Sequence, residues 1–470
     1  MPDLGSRQDR ALRPYYKRCR KHEDVTVQRR LRRYGRRLRK RGFRALQELV
    51  QATLAACLRL ADRRRTGRRE GAAPSSQRTV ILVHHAYGTG GTVRTVLTYA
   101  RHLAAQREVE VVSVVRERAH SFFAVPGGVE VSFLDDRVAP PSGVRGAVRR
   151  LLSRIPSMLV PLNEPSHKRC SLWTDVLLVG FLRSLRGGVL ITTRPSLNLA
   201  AAMCAPPGVV TIGQEHMNLG AHRGALRAQI LRWYGRLDAV VTLTPSDMEG
   251  YRSALPEAPH APRTPHLDFI PNALPALKGG PADQRAKTVM AAGRLVRQKG
   301  FDLLLAAWQE VSAAHPDWTL RIYGTGRLQT RLEAQIHELG LAGTVSLMGA
   351  AGDIGTEMSK ASILALSSRY EGLPMILIEG MSKGLAVAAF DCPTGPREII
   401  TDGADGLLVE PENVAALAAA IGGLIEDDDL RRRLGAQAVL TAAARYDLTG
   451  IGARWDALFD ELVTAGRRTP

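Results

Sequence analysis

Cysteine is scarce in this sequence, with five residues among 470 and no Cys-x-x-Cys pair. This scarcity excludes a disulfide framework and a zinc cluster, and it is typical of a protein in a reducing cytosol. Long apolar runs are also lacking. The best candidate, Leu172 to Leu182, is 11 residues long and contains Asp175, whereas a membrane-spanning helix needs about 20. The N-terminus has no apolar segment of the secretory type. These absences predict a soluble or peripheral intracellular protein.

Acidic residues are too few to balance the basic ones. The sequence has 45 Asp and Glu against 65 Lys and Arg, a formal net charge of +20. Residues 1–78 alone hold 24 Lys and Arg against seven acids. The rest of the chain is therefore nearly neutral, and its 45% apolar and 23% charged content is that of ordinary globular domains. A basic N-terminal extension of this kind indicates an anionic partner.

The extension has a helical pattern. From Val27 to about Arg65, apolar residues recur at steps of three and four with Arg and Lys between them, although Gly35 and Gly42 could divide the helix in two. We expect residues 28–65 to bind an anionic membrane surface, with leucines and Phe43 embedded. Two alternatives stay open: a nucleic-acid-binding arm, which is less favoured because no recognition motif accompanies it, and a solvated tail.

Beyond residue 78, short β-branched runs alternate with helical segments, which predicts parallel sheets covered by helices on both faces. The first set of predicted strands is Thr79–His84, Val109–Val115, Val129–Phe133, Val189–Thr192, Val209–Ile212 and Ala239–Leu243. The second set is Thr288–Ala291, Thr319–Tyr323, Thr344–Met348, Ile363–Leu366 and Ala386–Phe390. Two Pro-rich stretches interrupt the pattern: we expect 136–166 to form an irregular insertion and 255–282 to mark a domain boundary.

Two loops of the second set carry charged residues after predicted strands. The stretch Gly293–Gly300 places Arg294 and Lys299 before a helix, and such cations can neutralise a departing diphosphate. Farther on, Glu371 precedes a helix that carries Glu379, whose carboxylate could accept hydrogen bonds from a ribose diol. Taken singly, these residues could also be exposed cations and helix-dipole partners.

Two Gly-rich turns also follow predicted strands. Gly90 and Gly91 open a helix in the first set, where a close backbone approach and a helix N-terminus favour a phosphate. Gly324 lies in a similar turn of the second set. Because ligands of open parallel sheets bind beyond the carboxyl ends of the strands, these turns are candidate binding loops.

Five motifs in order resemble those of the retaining family 4 glycosyltransferases. They are Gly293–Gly300, Gly324–Leu332, Glu371–Glu379 (the E-x7-E pattern), Asp391–Ile400 and Asp402–Val409. The resemblance implies a GT-B fold, in which two Rossmann-like domains face each other across the active site. It divides the chain into a basic extension (1–78), an acceptor domain (79–275), a nucleotide-sugar domain (276–445) and a C-terminal helix that crosses back to the acceptor domain (446–470).

The resemblance also implies a role for each matching residue. Arg294 and Lys299 would bind the donor diphosphate and stabilise the leaving group. Glu379 would hold the ribose hydroxyls, and Glu371 would face the transferred sugar. His216, after a strand of the first domain, would contact the sugar near the reacting carbon, unless it is a structural histidine. The other donor-binding positions would be Gly90, Gly91, Gly324, Gly372, Leu373 and Pro374.

The resemblance thus implies a hexosyltransferase that uses a nucleotide-sugar donor, a UDP-sugar, and a glycan, lipid-linked or cell-wall polymer acceptor. It implies no cofactor and no metal, and the sequence has no Asp-x-Asp at a strand end that would require a divalent ion. The expected location is the cytosol, at the inner face of the plasma membrane. The alternative is an inactive transferase body whose basic arm binds nucleic acid or a membrane.

Overall fold

The computed structural model describes residues 39–64, 77–222, 224–255 and 264–468. Its strands are β1 (Arg78–Val83), β2 (Glu108–Arg116), β3 (Val129–Asp136), β4 (Val189–Thr192), β5 (Val210–Gln214), β6 (Ala239–Thr242), β7 (His266–Phe269), β8 (Thr288–Ala292), β9 (Thr319–Tyr323), β10 (Val345–Gly349), β11 (Ile363–Leu366), β12 (Ala386–Phe390) and β13 (Leu407–Val409). They form two parallel sheets, ordered β3-β2-β1-β4-β5-β6-β7 and β10-β9-β8-β11-β12-β13.

The helices lie mainly between these strands. They are α1 (39–64), α2 (Gly91–Leu103), α3 (Gly143–Leu152), α4 (Leu172–Ser184), α5 (Pro195–Cys204), α6 (Ala225–Trp233), α7 (Pro245–Ala254), α8 (Phe301–Ala314), α9 (Gln329–Glu338), α10 (Ile354–Met358), α11 (Met375–Lys383), α12 (Pro396–Ile399), α13 (Val414–Glu426), α14 (Asp428–Tyr446) and α15 (Leu448–Arg468). The predicted class, two α/β domains with parallel sheets, is confirmed.

Alternate residues of each strand enter different cores. In β1, Val80 and Leu82 pack with α4 and α5, whereas Ile81 and Val83 pack with α2 and α15. In the second sheet, Val289 packs with α8 and α13, whereas Met290 packs with α11 and α14. Because both faces are covered, whole strands are apolar rather than alternating, which is why the sequence pattern locates them well.

Among the elements that the sequence patterns do not predict are β7, β13 and α3. Strand β7 lies within the Pro-rich stretch expected to be a domain boundary, and β13 is only three residues long. Helix α3 lies within the stretch 136–166, where we expected an irregular insertion. Its neighbours Pro141 and Pro156 lie outside the helix, so they bound it rather than break it.

The described part of the extension is one helix. Residues 39–64 continue through Gly42 without a break, while Gly35 lies outside the described residues. Helix α1 docks on the first domain: the side-chain amides of Gln47 and Gln51 donate to backbone carbonyl groups of residues 157–160 at 2.8–3.2 Å, and Ala55 is fully buried. Phe43, expected to be embedded in lipid, is half-buried and contacts the ring of His167.

Helix α15 returns to the first domain. Trp455 stacks on Tyr99 of α2, with 5.4 Å between ring centroids, and Asp456 pairs with His102 and Arg107 at 2.8 and 3.0 Å. The apolar face of α15 therefore completes one core of the first sheet. No helix among the described residues has the length and apolarity needed to cross a bilayer.

Candidate active site

The centre of the candidate site is a pair of loops at the carboxyl ends of two adjacent strands. Strands β8 and β11 are hydrogen-bonded neighbours, so the loops that follow them lie side by side. Ser367 Oγ donates to the carbonyl oxygen of Lys299 at 3.0 Å. The amide N–H of Arg369 donates to the carbonyl oxygen of Gln298 at 2.8 Å, and Gln298 Nε2 donates to the Tyr370 carbonyl at 3.0 Å. These bonds fix the two loops relative to each other.

Lys299 and Glu371 form an ion pair between these loops. Lys299 Nζ lies 2.6 Å from Glu371 Oε1, and Ser368 Oγ donates to the same oxygen at 2.5 Å. The Glu371 side chain is 7% exposed and that of Lys299 16%. Arg294, in the same turn as Lys299, is exposed and forms no ion pair with any described residue. Lys299 and Glu371, expected to face the diphosphate and the sugar, thus lie together.

Gly324 supports this arrangement through backbone packing. A Cβ added at Gly324 would lie 1.9 Å from the carbonyl oxygen of Gly293. The amide of Leu295 also donates to the Thr325 carbonyl at 3.0 Å. The absence of a side chain at Gly324 therefore lets two binding loops touch, which is a structural reason for this glycine besides the predicted donor contact.

His216 meets the Glu371 loop from the opposite domain. A Cβ added at Gly372 would lie 2.4 Å from the His216 carbonyl oxygen, so the two backbones are in direct contact. Nearby, Asn218 Nδ2 donates to Thr394 Oγ1 at 3.1 Å, and Thr394 Oγ1 donates to the Glu371 carbonyl at 2.6 Å. These contacts bring His216 beside the turn that contains the predicted positions Gly372, Leu373 and Pro374.

The imidazole of His216 is uncharged at neutral pH. Burial, followed by the nearby charge of Arg194, lowers its pKa to about 3. Its Nε2 atom is buried and has no hydrogen-bond partner in the described structure. Because buried polar atoms are nearly always satisfied, an unpartnered ring nitrogen at the interface between two domains is a candidate ligand contact.

Gly90 and Gly91 lie at the start of α2, which follows β1. Both are exposed, and a Cβ added at either would meet no atom within 4 Å. Protein packing therefore does not explain these two glycines, in contrast to Gly324 and Gly372. The space beside them is open to a ligand.

Glu379 lies on α11, whereas Glu371 lies in the turn before that helix. The Glu379 carboxylate pairs with Arg94 of α2 at 2.8 Å, which joins the two domains. Burial raises the pKa of Glu379 to about 7; Arg94 opposes this rise and Asp353 adds to it. No group of three or more metal-ligating side chains is assembled in the part of the chain that the structure describes.

Arg94 is the site residue that sequence reasoning misses. It belongs to no motif, and its partner is 285 residues away in the sequence. One signal was available: Arg94 lies in the first turn of α2, where the helix dipole disfavours a cation. A cation in that position calls for an acidic partner from elsewhere in the fold.

Comparison with known proteins agrees with this geometry. The family model described as Glycosyl transferases group 1 matches residues 277–440, which contain both loops and α11. A phosphatidyl-myo-inositol mannosyltransferase of Mycolicibacterium smegmatis is 30% identical over 285 residues, or 58% of this chain and 70% of that protein. The chain belongs to the glycosyl transferases group 1 family.

Two further comparisons show how much of the chain is similar to known proteins. An exopolysaccharide phosphotransferase of Streptomyces coelicolor is 36% identical over 383 residues, covering 80% of this chain and 40% of that protein, so the chain spans less than half of this relative. The structure of S. aureus TarM in complex with Fondaparinux, alpha-GlcNAc-glycerol and UDP superposes with a TM-score of 0.66 at 15% identity, covering 82% of this chain and 99% of TarM. This likeness confirms the predicted GT-B architecture.

Proposed function

We propose that this chain is a retaining hexosyltransferase that moves a sugar from a UDP-sugar to a glycan, lipid-linked or cell-wall polymer acceptor. The observation that carries the proposal is the Lys299–Glu371 pair, 2.6 Å apart, with Gly372 of the same loop packed against His216 of the other domain. A cation for the leaving diphosphate, a carboxylate for the sugar and an unpartnered ring nitrogen thus converge at the interface of the domains.

The reaction would break the bond between the anomeric carbon and the β-phosphate oxygen and form a bond from that carbon to an acceptor oxygen. Negative charge then grows on the departing diphosphate, where Arg294 and Lys299 would stabilise it. The acceptor proton would pass to the leaving phosphate, giving UDP and the glycoside. No protein nucleophile and no resident metal are part of this proposal.

The names and ligands of similar proteins support the choice of substrates. The TarM structure holds UDP together with a glycerol-linked sugar. The names of the mycobacterial and Streptomyces relatives specify a phosphatidylinositol and an exopolysaccharide. We extend these substrate classes, lipid-linked and polymeric, to this chain, together with a cytosolic location at the membrane, where residues 28–65 would bind anionic lipid. Nucleic acid is the less favoured partner.

A donor screen tests the proposal. The thermal unfolding of the wild type and of Lys299→Ala is measured with UDP, GDP, ADP and their sugar conjugates. Arg297→Ala is the matched control, since Arg297 is an exposed cation of the same turn. A ligand at ~100 times its Kd adds about 2.7 kcal/mol to the free energy of unfolding. We expect one nucleotide to stabilise the wild type and Arg297→Ala but not Lys299→Ala. Stabilisation by none of them contradicts the proposal.

A transfer assay tests the reaction itself. The donor carries one radiolabel in the sugar and a different one in the β-phosphate, and the product is analysed by NMR for its anomeric configuration. Sugar label alone, with retained configuration, is the expected result. Transfer of both labels would indicate a sugar-phosphate transfer instead, and an inverted product would exclude the retaining mechanism.

A further inference from the structure

Helix α3 exposes an apolar stripe on the first domain. Val144, Val148 and Leu151 are 82%, 42% and 61% exposed, and Ile155, just beyond the helix, is 37% exposed. The spacing of four and three residues places Val144, Val148 and Leu151 along one side of the helix, and Ile155 follows in the turn after it. Soluble proteins rarely leave apolar side chains contiguous in this way unless the patch binds something.

Cations border the stripe on both sides. At about 100° per residue, Arg145 lies about 90° from the middle of the stripe and Arg150 about 130° from it on the other side, and Arg154 lies in the turn after the helix. All three are exposed, and none forms an ion pair with a described residue. Residues 138–163 contain no Asp or Glu, so nothing in this segment neutralises them.

The opposite side of α3 packs on the first domain. Arg149 Nε pairs with Asp135 of β3 at 2.8 Å, and Trp173 Nε1 donates to the same carboxylate at 3.2 Å. Gly146 is buried, and a Cβ added there would lie 2.4 Å from the Pro141 carbonyl oxygen. These contacts fix which side of α3 faces outward, so the exposed stripe is a stable feature of the structure.

Helix α1 extends the basic surface beside α3. The backbone carbonyl groups that receive hydrogen bonds from α1 belong to residues 157–160, directly after Ile155. Exposed cations of α1 include Arg39, Lys40 and Arg41. The face of α1 that contains Ala55, by contrast, is occupied by its packing on the first domain.

We propose that α3 is the element that inserts into the surface of an anionic bilayer, with its apolar stripe among the acyl chains and its flanking arginines on the phosphate groups. Charge complementarity selects this occupant, because an apolar stripe bordered by arginines is the pattern of helices that lie in the membrane interface. The inference extends the membrane contact proposed above to a different helix, and it does not depend on transferase activity.

Vesicle flotation of the full chain, without donor or acceptor, tests it. The vesicles are phosphatidylcholine alone or an equal mixture with phosphatidylglycerol. The charge variant replaces Arg145, Arg150 and Arg154 with Gln. Its control replaces three arginines that are exposed on the second domain with Gln as well: Arg285, Arg331 and Arg433. The apolar variant combines Val144→Gln with Leu151→Gln, and its control combines Met348→Gln with Leu440→Gln, which are also exposed. A third variant, Leu46→Gln with Leu49→Gln, tests the exposed face of α1.

We expect the wild type to bind the anionic vesicles and to lose binding as salt is raised. The charge variant should bind about a hundredfold more weakly, the apolar variant at least about tenfold more weakly, and both controls like the wild type. Equal binding to neutral vesicles, unchanged binding of both α3 variants, or loss of binding only in the α1 variant overturns the inference. Retention on nucleic acid without vesicle binding does so too. Each variant is also assayed for donor-induced stabilisation, so that failure here is distinguishable from failure of the proposed function.

Discussion

Arg94 of α2 and Glu379 of α11 are joined by an ion pair of 2.8 Å, which links the first domain to the second. Lys299 and Glu371 form a second pair nearby in the site. Three of these four residues, Lys299, Glu371 and Glu379, are predicted to bind the donor, and all three take part in these ion pairs. In the proposed reaction the donor phosphate would bind Lys299 in place of Glu371, and the ribose hydroxyls would bind Glu379 in place of Arg94.

We expect Arg94→Ala to lower the free energy of unfolding by about 1–3 kcal/mol, because it leaves a buried carboxylate without its partner. The loss should be larger at about pH 8 than at about pH 6. The pKa of Glu379 is raised to about 7, so at about pH 6 the buried carboxyl is mostly protonated and gains little from Arg94, whereas at about pH 8 it is ionised and the variant leaves its charge unpaired.

Urea unfolding of the single variants and of the double variant Arg94→Ala with Glu379→Gln measures this effect. The double variant should recover part of the loss, since the amide removes the unpaired charge. Additive losses that do not depend on pH would show that the pair is not coupled.

Two glycines of the site should respond differently to alanine. Gly91→Ala meets open space, so we expect an unchanged unfolding temperature and weaker UDP binding, because the added methyl group lies where the donor is proposed to approach. In Gly372→Ala the methyl group would clash with the His216 carbonyl oxygen at 2.4 Å, so the variant should lose stability even without a donor. Calorimetric titration with UDP and thermal unfolding separate the two effects; weakened stability in Gly91→Ala would contradict this reading.

The pH dependence of stability should report on His216. Its pKa is lowered to about 3 by burial, whereas in the unfolded chain a histidine titrates near 6.5. A group with a lowered pKa contributes stability above its unfolded value, and that contribution is lost as the pH falls from about 6.5 towards 3. We expect His216→Gln to flatten this part of the curve, measured by urea unfolding at a series of pH values.

His120→Gln is the matched control, because His120 is exposed. A profile for His216→Gln that is parallel to that of the wild type would mean that the imidazole is solvated in the native protein. The same variant should also weaken donor-sugar binding if Nε2 contacts the sugar.

Trp455→Ala should destabilise the first domain by about 3–5 kcal/mol, because a buried aromatic side chain leaves a cavity. Trp455 is 1% exposed and stacks on Tyr99. Denaturant unfolding checks this expectation, with hydrogen exchange used to monitor each domain separately, since two domains need not unfold together. Asp460→Ala, at an exposed position of α15, is the control. A loss confined to the second domain would contradict the role described for α15.

The strands were the most predictable part of the fold. Those buried on both faces give continuous apolar runs, and Val189–Thr192, Thr319–Tyr323, Ile363–Leu366 and Ala386–Phe390 match the structure residue for residue. Helix α3 was missed although Val144, Val148 and Leu151 recur at helical spacing, because the prolines around it favoured an irregular insertion.

The candidate site was predictable within one domain but not across the two. The loop residues Lys299 and Glu371 follow neighbouring strands, so their closeness is a consequence of the sheet order. The contacts of Arg94 with Glu379, and of His216 with Gly372, depend on how the two domains pack together. Local sequence patterns do not predict how the two domains pack together.

The return of α15 to the first domain affects the order in which the protein can fold during synthesis. Strands β1–β7 leave the ribosome long before residues 448–468, yet one face of their sheet is completed by Trp455 and Phe459 of that helix. The second domain, which contains its own strands and helices between these two parts, can fold first. The first domain reaches its full hydrophobic core after the second has been made, so the N-terminal half of the nascent chain carries a partly uncovered apolar face until α15 has left the ribosome.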